Sequence, residues 1–228
     1  MKLRVAVTRR EYITYLDGVN RFIFTLADGL SALGHEVHVL SYSFRGALYS
    51  ELDAYAKNFF DVERDIKIHV LSKVPEAEIW PKIALTWFYK GSNLLNQLDV
   101  DAVIINGIVP LRTKAVKIAV NHGIFTGAFA HAKGFEKHAY SQLAKYLYRY
   151  STDSSVCVSQ KLGREFKKFM GLNYIVVPLP IMLHLFEAEP LHQRDPLIIH
   201  IGTRPSKNAE LSIRSVKTLI KEMNVEAN

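Results

Sequence analysis

Three segments near the N-terminus decide the fold: LRVAV at 3–7, DGVN at 17–20 and GHEVHVL at 34–40. The first is an apolar run typical of a buried strand, and the third, with Val37, Val39 and Leu40, predicts a second strand. Between them, apolar residues recur every three or four positions, which predicts an amphipathic helix over 19–33. Asp17 is placed to cap the start of that helix, and Gly34 to end it. The opening of the chain therefore predicts a strand–helix–strand unit.

Gly18 occupies the turn between the first strand and the helix. A glycine at this point lets backbone N–H groups approach a ligand at the positive end of a helix. That geometry suits a phosphate or a sugar hydroxyl. The alternative is that Gly18 only makes the turn, and its spacing does not separate the two interpretations.

The rest of the chain repeats this alternation, which predicts an α/β fold: a Rossmann-like parallel sheet with helices on both faces. The predicted strands are 3–7, 36–40, 66–70, 102–105, 116–121, 155–158, 174–177 and 197–201. The predicted helices are 19–33, 46–59, 80–98, 136–150, 160–170 and 208–222. Only residues 107–114 join two of the strands, so we expect a distorted or single-turn connection there.

The composition indicates which cellular compartment and which classes of binding partner to expect. The chain has 228 residues, of which 49% are hydrophobic, and carries a formal net charge of +7. Its single cysteine, Cys157, reads as a buried hydrophobe in a reducing compartment. Without an apolar run of membrane-spanning length or a signal-peptide pattern, we expect a cytoplasmic protein. The positive charge favours anionic partners such as sugar nucleotides, an anionic membrane surface or nucleic acid.

Two segments, 133–150 and 161–170, interleave lysine and arginine with aromatic residues. Such a surface can lie on anionic lipid as a peripheral contact. The alternative is an ordinary helix with one core face and one solvated face. Nucleic-acid binding rests on charge alone, because no recognised motif supports it.

Two positions follow predicted strands in the manner of ligand sites. His122 and Gly123 end the run at 116–121, and ligands of open parallel sheets bind outside such carboxyl ends. We favour a substrate contact for His122 over a histidine bonded to backbone. Arg204 and Lys207 follow the run at 197–201, where they could hold phosphate oxygens, although from these residues alone we slightly favour ordinary surface charge at a turn. The chain has no G-x-G-x-x-G motif after its first strand, no P-loop and no metal-ligand spacing.

A polar segment with two prolines separates the last predicted strand and helix from the rest. We therefore predict a Rossmann-like domain over 1–185, a linker over 186–196, and the first strand and helix of a second domain over 197–228.

Taken together, these patterns resemble the family-4 glycosyltransferases of the two-domain GT-B architecture, from residue 1 to about 222. The similarity is carried by the Gly18 loop, GHEV at 34–37, DAVIING at 101–107, NHG at 121–123, DSSVCVSQ at 153–160, VPLPI at 177–181 and GTRPSK at 202–207. Asn106 stands where the family often has histidine. The run at 177–181 lacks the asparagine and glycine of the family pattern.

The resemblance implies transfer from a nucleotide-sugar with retention of configuration, in a cleft between two domains and without a cofactor or essential metal. It assigns a catalytic role to His122. It assigns substrate contacts to Gly18, Asn20, Asn106, Gly123 and Ser159, and donor-diphosphate contacts to Gly202, Arg204 and Lys207.

Family members continue well beyond this length, so the chain resembles an acceptor-side domain with the start of a donor domain. We expect it to be inactive alone. The acceptor, whether glycan, lipid or small molecule, stays open. The alternative is a non-catalytic acceptor- or membrane-binding module that needs a partner subunit to bind donor. Whether the chain assembles with a partner subunit or as a homo-oligomer stays open.

Overall fold

The computed structural model describes residues 1–14, 17–44, 49–72, 80–123, 134–180, 210 and 213–218. Its strands are β1 (Arg4–Tyr12), β2 (Glu36–Ser43), β3 (Lys67–Val70), β4 (Ala102–Asn106), β5 (Val116–Asn121), β6 (Ser154–Cys157) and β7 (Ile175–Val176). Its helices are α1 (Gly18–Ala32), α2 (Leu52–Phe60), α3 (Trp80–Thr86), α4 (Ser92–Gln97), α5 (Gly134–Tyr150) and α6 (Gln160–Met170). A π-helical turn, Trp87–Gly91, joins α3 to α4, and a short 3-10 turn, Tyr49–Glu51, precedes α2.

The seven strands form one parallel sheet in the order β3-β2-β1-β4-β5-β6-β7. The predicted parallel α/β fold is therefore confirmed. The predicted strand at 197–201 lies outside the described residues. By its contacts the chain divides into Met1–Met182 and Leu183–Asn228. In the second unit, residues 213–218 are helical, and the predicted linker at 186–196 lies outside the described residues.

Side chains alternate between two apolar layers, one on each face of the sheet. Along β1, Ala6 packs into one layer and Val7 into the other. The Val7 layer includes Ile23 of α1, and the Ala6 layer includes Trp87 and Phe166. Helices therefore cover both faces, as predicted. Cys157 is fully buried in the Ala6 layer, where burial raises the pKa of its thiol, consistent with the predicted structural role.

β1 and β2 continue past their predicted ends with polar residues. Ladder pairing extends to Arg9 opposite Ser41 and to Tyr12 opposite Ser43. The Ser41 hydroxyl is buried and donates to the carbonyl oxygen of Glu11 at 2.9 Å. Because buried hydroxyls satisfied in this way cost little, the strands run on beyond their last apolar residue.

The link between β4 and β5 contains no helical turn, which confirms the predicted distorted connection. Val109 and Leu111 are buried in place of a crossover helix. The backbone N–H groups of Leu111 and Arg112 donate to the hydroxyls of Ser151 (3.3 Å) and Ser92 (2.8 Å). Side chains therefore replace the hydrogen bonds that a helix would have supplied.

Candidate functional site

A cleft of about 230 Å³ opens at the carboxyl ends of three adjacent strands, β1, β4 and β5. The strand order reverses here, because the chain adds β2 and β3 on one side of β1 and then returns to the other side with β4. Ligands of open α/β sheets bind at such reversals. The cleft is lined by Arg9, Arg10 and Glu11 of β1, Asn106 and Gly107 at the end of β4, Asn121, His122 and Gly123 at the end of β5, and by Val19 and Tyr148 from α1 and α5.

Asp17 organises the loop that leads into α1. One carboxylate oxygen accepts a hydrogen bond from the backbone N–H of Asn20 at 2.8 Å, which confirms the predicted N-cap. The other oxygen accepts from Nη2 of Arg9 at 2.7 Å. Arg9 in turn donates from Nε to the carbonyl oxygen of Tyr12. One carboxylate therefore ties the helix start to the end of β1.

Gly18 and Asn20, both in the first turn of α1, have different surroundings. Asn20 is fully buried, and its amide nitrogen donates to the carbonyl oxygen of Tyr12 at 3.1 Å. Gly18 is exposed as the first residue of α1, and within the described part of the chain no atom lies within 4 Å of a Cβ placed there. Its φ lies outside the left-handed region, so the turn does not demand glycine. The space above the helix start is therefore open to a ligand.

His122 is held at the end of β5 by a side chain of β4. Its Nε2 lies 2.8 Å from Oδ1 of Asn106. The Nδ2 of Asn106 donates to the carbonyl oxygen of Thr8 at 3.1 Å. Phe22 of α1 meets the imidazole edge-on, with ring centroids 4.5 Å apart. Three strands and one helix thus fix the position of this ring.

The surroundings of His122 keep its imidazole neutral at pH 7. Burial, followed by the positive charge of Arg9, lowers its pKa from 6.5 to about 4, and Asp17 opposes the change. A neutral imidazole has one N–H and one lone pair. His122 can therefore exchange hydrogen bonds with a polar ligand without adding charge to the cleft.

The charged side chains of the cleft are paired with one another. Arg9 binds Asp17, and Arg10 binds Glu11 through both Nε and Nη2. Among the described lining residues, each arginine thus has a carboxylate partner. Apolar side chains of Ile105, Ile108, Ala119 and Val120 also line the cleft, and its charges balance one another rather than creating a strong positive potential.

Gly107 lets β4 end close to β1. Its φ of +90° lies in the region that glycine adopts readily. A Cβ at this position would lie 3.1 Å from Cβ of Arg10. The carbonyl oxygen of Arg10 is fixed from the other side by Nε1 of Trp87 at 3.0 Å. The floor of the cleft is therefore built by backbone that approaches closely.

A second polar network closes the α5 side of the cleft. Nδ2 of Asn121 donates to the hydroxyl of Tyr148 at 3.0 Å, and that hydroxyl donates to Oγ of Ser155 at 3.0 Å. Burial raises the pKa of Tyr148, so its hydroxyl stays protonated at neutral pH. This network joins β5, β6 and α5 beneath His122.

The family of the chain follows from its sequence as a whole. Residues 16–183 match the model of Glycosyltransferase Family 4, a span of most of the chain that begins after β1 and includes the start of α1 and the ends of β4 and β5. The chain belongs to Glycosyltransferase Family 4. No curated protein sequence matches it significantly.

Solved structures agree with this family in fold. A glycosyltransferase from Rickettsia africae ESF-5 is 16% identical, with a TM-score of 0.54, over 100% of this chain and 51% of that protein. WaaG, a glycosyltransferase involved in lipopolysaccharide biosynthesis, is 17% identical, with a TM-score of 0.50, over 72% of this chain and 41% of that protein. The chain thus spans about half the length of these glycosyltransferases.

The remaining residues proposed from the family-4 resemblance differ in their positions. Gly123 lines the cleft and is exposed. Ser159 caps α6, where its hydroxyl accepts from the backbone N–H of Leu162 at 3.3 Å, and it is not among the cleft residues. Gly202, Arg204 and Lys207 lie outside the described residues.

Four residues that line the cleft were not predicted as site residues from the sequence: Arg9, Arg10, Glu11 and Tyr148. The predicted first strand ended at residue 7, which left Arg9 to Glu11 in an unplaced loop. Charged residues directly after a buried parallel strand were an available signal, since they lie at the carboxyl edge. Tyr148 gave no comparable signal, because an aromatic residue on a helix is most often core.

Within the described ranges, no cluster of three histidine, cysteine or acidic residues could hold a metal ion. Nor does any helix there combine the length and hydropathy needed to cross a bilayer.

Proposed function

We propose that this chain supplies the acceptor-side part of a cytoplasmic glycosyltransferase that uses a nucleotide-sugar donor and retains the anomeric configuration. Family membership supports sugar transfer in general. Retention and the nucleotide-sugar donor follow from the family resemblance of the sequence. The free, buried Cys157 is compatible with a reducing compartment.

The observation that carries the proposal is the cleft at the β1–β4 reversal with neutral His122 in its wall. Sugars and polyols are recognised by side chains that exchange hydrogen bonds with hydroxyl groups. His122 offers such a group, and Val19 of α1 lines the cleft with it; Gly18 is exposed at the start of the same helix but is not among the lining residues. We assign the uncharged, hydroxyl-bearing part of the substrates to this cleft.

The balanced charge of the cleft argues against its holding the donor diphosphate alone. A diphosphate needs cations that are not already neutralised. Arg9 and Arg10 are each engaged by a carboxylate. We therefore keep Arg204 and Lys207, with the backbone at Gly202, as the residues that bind the diphosphate and stabilise it as it leaves.

The test is a transfer assay with the full-length protein and a panel of nucleotide-sugars and acceptors. His122→Ala and the double variant Arg204→Ala/Lys207→Ala should both lower kcat/KM, and NMR of the product should show the donor's anomeric configuration. His138→Ala is the matched control, because His138 is an exposed histidine on α5. Unchanged kcat/KM in both test variants, or transfer with inversion, would contradict the proposal.

A second candidate function rests on the outer surface of α5 and α6. These helices pack together, with Nζ of Lys145 4.7 Å from the ring centroid of Phe169. Leu143, Tyr146 and Tyr150 of α5 are exposed, and so are the basic residues Lys161, Arg164, Lys167 and Lys168 of α6. Basic residues beside exposed aromatic ones favour an anionic lipid surface. A membrane-binding module that needs a partner subunit to bind donor would use this surface.

Vesicle co-sedimentation separates the two functions. If the chain is a membrane-binding module, it should bind anionic vesicles, and this binding should fall with added salt. It should neither transfer nor hydrolyse a sugar-nucleotide. Replacing Lys161, Arg164, Lys167 and Lys168 with glutamine should abolish that binding. Equal binding to neutral and anionic vesicles would exclude this role for the basic residues.

A further inference from the structure

The side-chain amide of Asn106 has one orientation that fits its surroundings. Its Nδ2 lies 3.1 Å from the carbonyl oxygen of Thr8, which can only accept a hydrogen bond. Turning the amide over would bring two acceptor oxygens face to face. Oδ1 must therefore point to Nε2 of His122, 2.8 Å away. Since an amide oxygen cannot donate, Nε2 of His122 carries the hydrogen.

The two strands around Asn106 hold this amide in place. Asn106 and Thr8 are both buried, and β1 pairs with β4 at this level, with Thr8 opposite Ile105. The backbone N–H of Asn106 also lies 3.4 Å from the Thr8 hydroxyl. Both polar atoms of the Asn106 side chain are thus engaged within the protein. This arrangement favours an indirect role over the direct substrate contact expected from the sequence.

The position of this hydrogen determines what Nδ1, the other ring nitrogen of His122, can do. A neutral imidazole with its hydrogen on Nε2 has its lone pair on Nδ1. Among the described residues Nδ1 has no hydrogen-bond partner, while the ring lines the cleft. We propose that Asn106 is a positioning residue that fixes His122 as the Nε2–H tautomer, so that Nδ1 accepts a hydrogen bond from a substrate hydroxyl. This inference rests on the proposed function of the cleft.

The charged groups around His122 fit this role. Arg9 of β1 and Asp17 at the start of α1 act on it directly, with opposite effects on its pKa. Arg10, Glu11 and Tyr148 line the same cleft. Burial outweighs Asp17, so the ring stays neutral and its lone pair remains available at neutral pH. A protonated ring would have no lone pair to offer.

Nitrogen-15 NMR of the imidazole tests the inference without any substrate. In the wild-type protein at pH 7, the spectrum of His122 should show hydrogen on Nε2 and none on Nδ1. Asn106→Leu removes the acceptor, and His122 should become a mixture of tautomers. Asn121→Leu is the matched control, because it removes another buried strand-end amide that bonds Tyr148 rather than His122. It should leave the tautomer unchanged.

Asn106→Asp separates positioning from simple loss of structure. Aspartate keeps an oxygen facing Nε2, so the tautomer should survive, while an added negative charge should raise the pKa of His122. Its second oxygen loses the hydrogen bond to the Thr8 carbonyl, so the variant should also be less stable and is compared below its unfolding midpoint. In a transfer assay, Asn106→Leu should lower kcat/KM about tenfold, the value of one hydrogen bond. Asn106→Asp should retain most activity at neutral pH and move the acid limb of its pH profile upward.

Three outcomes would overturn the inference: hydrogen on Nδ1 in the wild type, an unchanged tautomer in Asn106→Leu, or an equal change in Asn121→Leu. The NMR result is independent of turnover. Hydrogen on Nε2 without any sugar transfer would refute the proposed function alone. Transfer with hydrogen on Nδ1 would refute this inference alone.

Discussion

Histidines in two parts of the same sheet have different arrangements. His122, which is half-buried, follows the carboxyl end of β5 and bonds Asn106. His38 is the third residue of β2 and His69 the third residue of β3, and Nδ1 of His38 lies 3.0 Å from Nε2 of His69. Burial is the main cause of a lowered pKa at all three residues. What differs is that the ring of His122 borders the cleft at the carboxyl edge of the sheet.

In the His38–His69 pair, the groups next to the ring nitrogens of His38 belong to the protein itself. His38 is only 2% exposed and its Nδ1 faces His69. Its Nε2 lies 3.3 Å from Oε1 of Glu36 but makes no hydrogen bond there, and it is buried away from solvent. His122 has one bonded nitrogen and borders a cleft. A lowered pKa therefore records burial, and a ligand role needs in addition a free nitrogen at the carboxyl edge. The predictions below test this distinction, starting with the largest expected effect.

Replacing His122 with alanine should reduce activity far more than stability. The variant loses a polar contact to substrate inside the cleft, and we expect kcat/KM to fall tenfold to about a hundredfold. In the variant, water from the cleft should take the place of the ring beside Asn106, so the urea midpoint should change little. Steady-state kinetics and urea unfolding on the same preparation measure both effects. A large loss of stability with normal kcat/KM would place His122 in the same class as His38.

Replacing His38 with alanine should do the reverse. The substitution leaves a cavity between β2 and β3 and removes the buried partner of His69, so the free energy of unfolding should fall by about 2 kcal/mol. The value of kcat/KM should stay at the wild-type level below the unfolding midpoint. Urea unfolding measures the first and a transfer assay the second. A stable variant with low activity would contradict a purely structural role.

The sequence predicts the succession of strands and helices along the chain well, but it predicts the ends of the strands poorly. Apolar residues such as Val37, Val39 and Leu40 predict the buried middle of a strand, because burial on both faces requires hydrophobic side chains. They do not reveal that β2 continues to Ser43, since the Ser41 hydroxyl meets its partner, the carbonyl oxygen of Glu11 in β1, only after the sheet has formed. Long-range hydrogen bonds of this kind leave no local pattern.

In the candidate site, too, the sequence predicts residues that have a local signal and misses the contacts between strands. His122 is predicted from its place after a strand, and Asp17 from helix-capping chemistry. The bond between Asn106 and His122 joins β4 to β5, and the pairing of His38 with His69 joins β2 to β3. Both depend on which strands become neighbours, and a single sequence gives no spacing rule for that.

Acid should destabilise the protein partly through His122. Its pKa is about 4 when folded and 6.5 unfolded, so between these values the unfolded chain binds more protons. Stability therefore falls as pH falls through this window. Between pH 7 and 5 we expect His122 to contribute about 1 kcal/mol, allowing for its partial exposure. Urea unfolding of wild type and His122→Gln at both pH values measures the difference.

In that experiment the His38–His69 pair provides the comparison. Its lowered pKa values act in the same direction, so acid sensitivity should decrease in His122→Gln without disappearing. A triple variant with His38→Gln and His69→Gln should be less sensitive still. Parallel losses in wild type and His122→Gln would show that His122 does not carry a lowered pKa.

The smallest effect is expected at the rim of the His38–His69 pair. Nζ of Lys67 lies 2.6 Å from Oε1 of Glu36, and this ion pair is exposed to solvent. Lys67→Met should shift the melting temperature at pH 7 by about 1 °C or less, because exposed ion pairs contribute little. Removing its positive charge should also make His38 and His69 easier to protonate, since Lys67 lowers the pKa of both. The variant should therefore lose slightly less stability on acidification than the wild type. A loss of kcat/KM in Lys67→Met would break the distinction between the two sites, since it would give the amino half of the sheet a part in substrate binding.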